Sequence, residues 1–87
     1  MIREAERGIG LYRIAKYRRE ILGITAEYEF MCIGDGEYVI SVTRGGKVGR
    51  AFVKGDFFCA AELFKDIVIT DTLPENMEDI EQDFTER

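Results

Sequence analysis

The sequence predicts an α+β domain: a three-stranded antiparallel β-meander, with a four-stranded one as the alternative, and C-terminal helices packed on one face. Three observations carry this. Residues 26–54 hold three runs rich in Tyr, Phe, Val and Ile, separated by two glycine turns. From Asp56 onward the apolar spacing changes from alternation to three and four. The chain has 87 residues, enough for one core and one domain, read as a basic segment (1–25), the meander (26–54) and an acidic helical part (56–84).

The strands are Glu27–Ile33, Glu37–Arg44 and Lys47–Lys54. Gly34-Asp35-Gly36 suits a short hairpin loop, and Gly45-Gly46 suits a two-residue primed turn, because glycine reaches positive φ without steric cost. Closing the second loop pairs Arg44 with Lys47, and so Val42 with Gly49, Ile40 with Ala51 and Tyr38 with Val53. Closing the first as a three-residue loop pairs Ile33 with Glu37, and so Cys32 with Tyr38, Phe30 with Ile40 and Tyr28 with Val42. Both turns independently place one continuous apolar face on the same side: Tyr28, Phe30, Cys32, Tyr38, Ile40, Val42, Ala51 and Val53.

The opposite face carries a polar row, Glu29–Ser41–Arg50, whose outer members are expected to pair in charge. Beside it runs an apolar row, Met31–Val39–Phe52, which needs a cover. The cover is the N-terminal segment, a second copy or a partner, and the N-terminal segment is preferred because it must itself pack somewhere.

Asp56 is an N-cap for a helix from Phe57 to about Lys65 or beyond, with Phe57, Ala60, Ala61 and Phe64 on its buried stripe. A second helix starts near Thr72-Leu73-Pro74-Glu75, where Thr72 and Glu75 have capping-box spacing and Pro74 sits in the first turn. Leu73, Met77, Ile80 and Phe84 form its apolar face. Between the helices, Asp66–Asp71 reads equally as a short strand or a connector. Residues 11–22 are expected to be helical, on a stripe of Leu11, Ile14, Ala15, Ile21 and Leu22 interrupted by Arg18, with Gly23 as C-terminal cap. Tyr12–Tyr17 also tolerates a strand reading, which is the alternative.

Composition narrows the functional classes. A hydrophobic content of 46% is too high for intrinsic disorder, and no apolar run approaches the roughly 20 residues of a membrane span. The N-terminus mixes charges of both signs and lacks a signal-peptide core, so the expected compartment is the cytoplasm. Histidine is absent, which removes the commonest general base and metal ligand. Cys32 and Cys59 are far apart in sequence and are expected to be small buried groups rather than a disulfide, a zinc site or a reactive thiol. Ser41 is the only serine. Asp79 and Asp83 share a helix face near Glu75 and Glu86, but without an EF-hand pattern they read as a solvated surface. Gly45-Gly46-Lys47-Val48-Gly49 lacks the order and the following helix of a phosphate loop and reads as a turn. The chain is therefore expected to have no catalytic set, cofactor or metal.

The segment from Tyr28 to Phe84 resembles a known family. A Tyr-x-Ile strand (Tyr38-Val39-Ile40), a further strand, a capped helix ending in an apolar run, and then Leu-Pro-x-x-Met-x-Asp-Ile-x-x-Asp-Phe (Leu73 to Phe84) is similar to the small bacterial proteins grouped as domain of unknown function 6514. Pro74, Asp79, Ile80, Asp83 and Phe84 carry the resemblance, whereas Val39 stands where the family often has Gly and residues 1–25 have no counterpart. The resemblance implies this order of elements, a bacterial cytoplasmic origin and a non-enzymatic role, and carries over no activity.

Net charge is −5 and unevenly laid out: residues 1–25 carry six Lys/Arg against three Glu, while residues 55–87 carry ten Asp/Glu against Lys65 and Arg87. The function expected is a protein-interaction or regulatory module, of which a homodimer is one form, with Met31, Val39, Phe52 and Arg50 as candidate interface. Pairing between copies would use Lys47–Lys54 or Glu27–Ile33 as an edge strand. The alternative is nucleic-acid binding through Tyr12, Arg13, Lys16, Tyr17, Arg18 and Arg19, since basic and aromatic side chains together track a backbone and stack on bases. The sequence pI of about 4.7 weighs against it.

Overall fold

The computed structural model describes residues 12–85. Its elements are β1 (Tyr12–Ile21), β2 (Ile24–Gly34), β3 (Glu37–Arg44), β4 (Lys47–Lys54), α1 (Phe57–Ile69), a 3-10 turn (Pro74–Asn76) and α2 (Met77–Thr85). The four strands form one antiparallel sheet in the order β1-β2-β3-β4, a pure meander.

The central register follows the expected one. Tyr28 pairs with Val42, Phe30 with Ile40, Cys32 with Tyr38, and on the next strand Ile40 with Ala51 and Tyr38 with Val53. Gly45 and Gly46 take φ of 58° and 82°, the positive pair that a primed turn demands. The first loop is tighter than expected. Gly34, not Ile33, pairs with Glu37, so Asp35-Gly36 is a two-residue turn and an irregularity between Cys32 and Gly34 absorbs Ile33.

The segment expected as a helix, residues 11–22, is instead strand β1 over its described residues, the alternative reading. The register slips between Arg13 and Ala15, so Ile14 is an extra residue. A bulge interrupts period-two alternation and leaves Ile14 and Ala15 adjacent and half-buried, which imitates a helical stripe. Gly23, at φ 81°, is the second residue of a hairpin turn and not a helix cap.

The core lies on the face lined by Ala26, Tyr28, Phe30, Tyr38, Ile40, Val42, Ala51 and Val53, and α1 seats Ala60, Leu63 and Ile67 against it. Phe30 is the hub of an aromatic group, with its ring 5.3 Å from Phe64, 5.5 Å from Tyr38 and 5.9 Å from Phe57. Asp56 caps α1 as expected, accepting from the Cys59 amide at 2.9 Å. Residues 66–69, undecided from sequence, continue α1, which ends at Thr70.

The second helix departs from expectation at its start. Leu73 is the N-cap of the 3-10 turn and no side chain caps it, so the Thr72–Glu75 box does not form; Thr72 shares a hydroxyl hydrogen bond with Thr70 instead, at 2.9 Å. Pro74 is buried against Gly49, where a Cβ would collide with the proline carbonyl group. Only glycine permits this approach. Met77 is fully buried, and Ile80 and Phe84 pack at the core margin. Glu81 accepts from the Phe52 amide at 2.8 Å, so α2 lies beside β4 and satisfies a donor of that edge strand.

Candidate functional site

The back face of the sheet follows from the same register. Cross-strand partners share a face, so its rows run Arg13–Met31–Val39–Phe52, Lys16–Glu29–Ser41–Arg50 and Arg18–Glu27–Thr43–Val48. Both helices pack on the core side and the β4 edge, and among the described residues no helix lies over these rows. Of the N-terminal segment preferred as cover for the apolar row, residues 1–25, residues 12–21 are instead the outer strand of the sheet, in line with the row rather than above it. Residues 1–11 of that segment lie outside the described residues.

Val39 and Ser41 are buried at 5% and 6% exposure, because each sits mid-sheet between longer neighbours. Met31 is half-buried, Val48 is 50% exposed and Phe52 is 57% exposed. The face is thus an apolar strip with one aromatic ring open to solvent, flanked by charge. The Glu29–Arg50 pair expected from their shared row does not form. Glu29 pairs with Arg13 at 2.9 Å, since β1 adds a nearer cation on the other side. Arg50 and Lys16 are exposed and make no ion pair among the described residues. The four candidate interface residues, Met31, Val39, Phe52 and Arg50, are therefore brought onto one surface, with Val39 its floor and Phe52 its most prominent apolar group.

The six basic and aromatic residues of β1 are not brought together. Arg13, Lys16 and Arg18 join the back face, while Tyr12, Tyr17 and Arg19 partner the core-facing Cys32, Tyr28 and Ala26. Arg13 and Arg18 are engaged by Glu29 and Glu27, each at 2.9 Å. Arg19 has a structural task that sequence reasoning missed. Its guanidinium lies 5.4 Å from the Tyr17 ring centre and 5.8 Å from that of Tyr28. It donates to the Val68 carbonyl at 2.6 Å and pairs with Asp71 at 2.7 Å, tying β1 to the C-terminal end of α1, where a cation suits the helix dipole. The signal was long-range: Arg19 and Val68 are 49 residues apart.

Tyr28 is buried below this arginine, and its hydroxyl has no hydrogen-bond partner among the described residues. Burial, and then the Asp71 carboxylate, push its pKa above the ordinary value. Burial likewise raises Tyr38, with the Cys32 thiol adding to it.

The cysteines differ from each other. Cys32 is half-buried and its thiol donates to the Gly34 carbonyl at 3.2 Å. Cys59, expected to be buried, is exposed, because the buried stripe of α1 runs through Ala60, Leu63 and Ile67 and turns its neighbour outward. Asp79 and Asp83 are exposed on α2, and no group of three or more Cys, Asp or Glu side chains is placed to hold a metal ion among the described residues.

No helix among the described residues is long and apolar enough to cross a membrane. Comparison of the chain with protein-family models, curated proteins and solved structures returns no significant match.

Proposed function

We propose that this chain is a non-enzymatic protein-interaction or regulatory module that uses the back face of its sheet. The observation that carries the reading is the apolar strip Met31–Val39–Phe52, over which no helix lies among the described residues, while the other face of the same strands is packed by α1, the 3-10 turn and α2. An exposed aromatic at the β4 edge beside an apolar floor, with Arg50 and Lys16 in the next row, has the elements of a binding patch: an anchor that water leaves on contact, and a polar surround. Self-association through this face is its simplest form. It does not run through Glu27–Ile33 as an edge, since β2 is interior to the sheet. The cytoplasm of a bacterium is the compartment we propose, and membership of the unknown-function family 6514 stays a proposal that rests on the Leu73–Phe84 pattern.

Light scattering, solubility and circular dichroism of Met31→Ser and Phe52→Ser, set beside wild type, test this. The reading expects an unchanged dichroism spectrum with a lower mass or higher solubility. Identical mass, solubility and partner binding in wild type and both variants would remove the support. Nucleic-acid binding is the weaker reading, because the β1 cations are divided between the faces and two of those on the back face are neutralised by glutamates.

A further inference from the structure

On the other side of the molecule, α1 and α2 diverge beyond the core and leave a groove of about 760 Å³ above the end of β4. Its apolar surface comes from Phe58 of α1, Phe84 of α2 and Phe52 at the strand edge, with Leu63 at its base. Phe58 is 78% exposed, a large ring that contributes nothing to the core proper. Its charge is one-sided. Asp56, Glu62, Asp66 and Glu81 line it, against Lys54 alone. Asp56 and Glu81 are occupied with the backbone amides of Cys59 and Phe52. Glu62 and Asp66 are exposed one helical turn apart, and neither makes an ion pair among the described residues.

We infer that this groove docks a positively charged amphipathic helix of a partner protein. Charge complementarity selects the occupant: carboxylates on the rim repel phosphate, nucleic acid and fatty acids, and attract Lys and Arg flanking apolar anchors. The shape agrees. The α1 wall from Phe58 to Asp66 is about 12 Å long at 1.5 Å per residue, which suits roughly two turns of a helix lying in a helix-walled groove. The inference rests on reading the chain as an interaction module but uses a surface distinct from the back face, save for Phe52 at their boundary.

The test uses the full chain and a 14-residue peptide of Leu and Lys in amphipathic helical spacing, with a Leu/Glu peptide of the same pattern as counterpart. Fluorescence anisotropy is expected to show saturable one-to-one binding of the Leu/Lys peptide that weakens with salt, and no binding of the other. Glu62→Lys with Asp66→Lys is expected to weaken it at least about tenfold, two exposed attractions having become repulsions. Glu78→Lys with Asp79→Lys changes the same charge on the outward face of α2, and Met31→Ser with Arg50→Glu alters the back face; both should stay within about threefold of wild type. Cys59 lines the groove and is exposed, so its alkylation in the wild-type chain should slow severalfold when the peptide is bound. Equal weakening by both charge pairs, or an unchanged Cys59 alkylation rate, would overturn the groove as the docking site. A mass doubling of the pure protein abolished by Phe58→Asp would overturn it too, by naming a second copy as occupant. Failure here with the effect of Met31→Ser intact leaves the back-face reading standing, since Met31 does not line the groove, and the reverse result separates the two in the same way.

Discussion

The two faces of the sheet are made by the same strands and differ in almost every other respect. On the core face, Tyr28, Phe30, Ile40, Val42, Ala51 and Val53 are shut from solvent by α1, the 3-10 turn and α2. On the back face, the alternate residues of those strands mix Glu27, Glu29 and Arg50 with Met31, Val39 and Phe52, and no described helix covers them. Folding accounts for the first composition, because apolar burial stabilises the domain. It does not account for a half-exposed phenylalanine in the second. That phenylalanine is the residue on which the proposed binding face turns.

The comparison breaks most severely at Gly49. Alanine there would drive a Cβ into the Pro74 backbone, which cannot yield like a flexible side chain. Gly49→Ala is expected to cost about 3 kcal/mol by denaturant unfolding and to loosen α2 from β4, seen as faster amide exchange in α2. Next comes Arg19, which closes the far end of the core face. Arg19→Ala is expected to lower stability by about 2 kcal/mol, since it strips a charge-assisted bond from the Val68 carbonyl and strands Asp71. Arg13→Ala, on an exposed back-face pair, should cost under about 0.5 kcal/mol in the same assay.

A pH experiment sharpens the contrast without touching packing. The folded Tyr28 hydroxyl titrates above the ordinary tyrosine value of 10.0, so in alkali the unfolded chain gives up that proton first. Its contribution is whole below pH 10 and is lost as pH rises above it. Tyr28→Phe is expected to flatten the alkaline fall in stability, and at neutral pH to be neutral or slightly stabilising, because the hydroxyl it removes lacks a partner among the described residues. A steeper alkaline fall in the variant would contradict this. A small effect of the opposite sign belongs to the β1–β2 turn. Leu22 holds φ 52° while 95% exposed, a conformation that favours Asn or Gly. Leu22→Asn is expected to raise stability by about 0.5 kcal/mol in thermal unfolding.

That turn also marks the limit of what could be read from the sequence. Gly45-Gly46 announces a primed hairpin, and with it the register of β3 and β4 and the whole apolar face were legible. Leu22-Gly23 makes a turn with two positive φ values as well, but a leucine in the first position hides it. The bulge at Ile14 then lent β1 a helical spacing, so the fourth strand stood only as the alternative. Of the candidate surface, Met31, Val39, Phe52 and Arg50 were found together by alternation alone. The Arg19 clamp and the groove beside Phe58 were not, because both depend on where α1 ends and how α2 lies along β4. Those are tertiary facts with no local signature.

The central claim is that the uncovered face binds protein. Its most direct test is capture from nuclease-treated bacterial lysate with wild type and with Met31→Ser plus Arg50→Glu, neither of which lines the groove, followed by mass spectrometry of what is retained. The account expects a specific protein, or the chain itself, held by wild type in stoichiometric amount and lost by the double variant. Retention of the same protein by both would contradict it, and so would nucleic acid recovered from untreated lysate in place of any protein that survives nuclease.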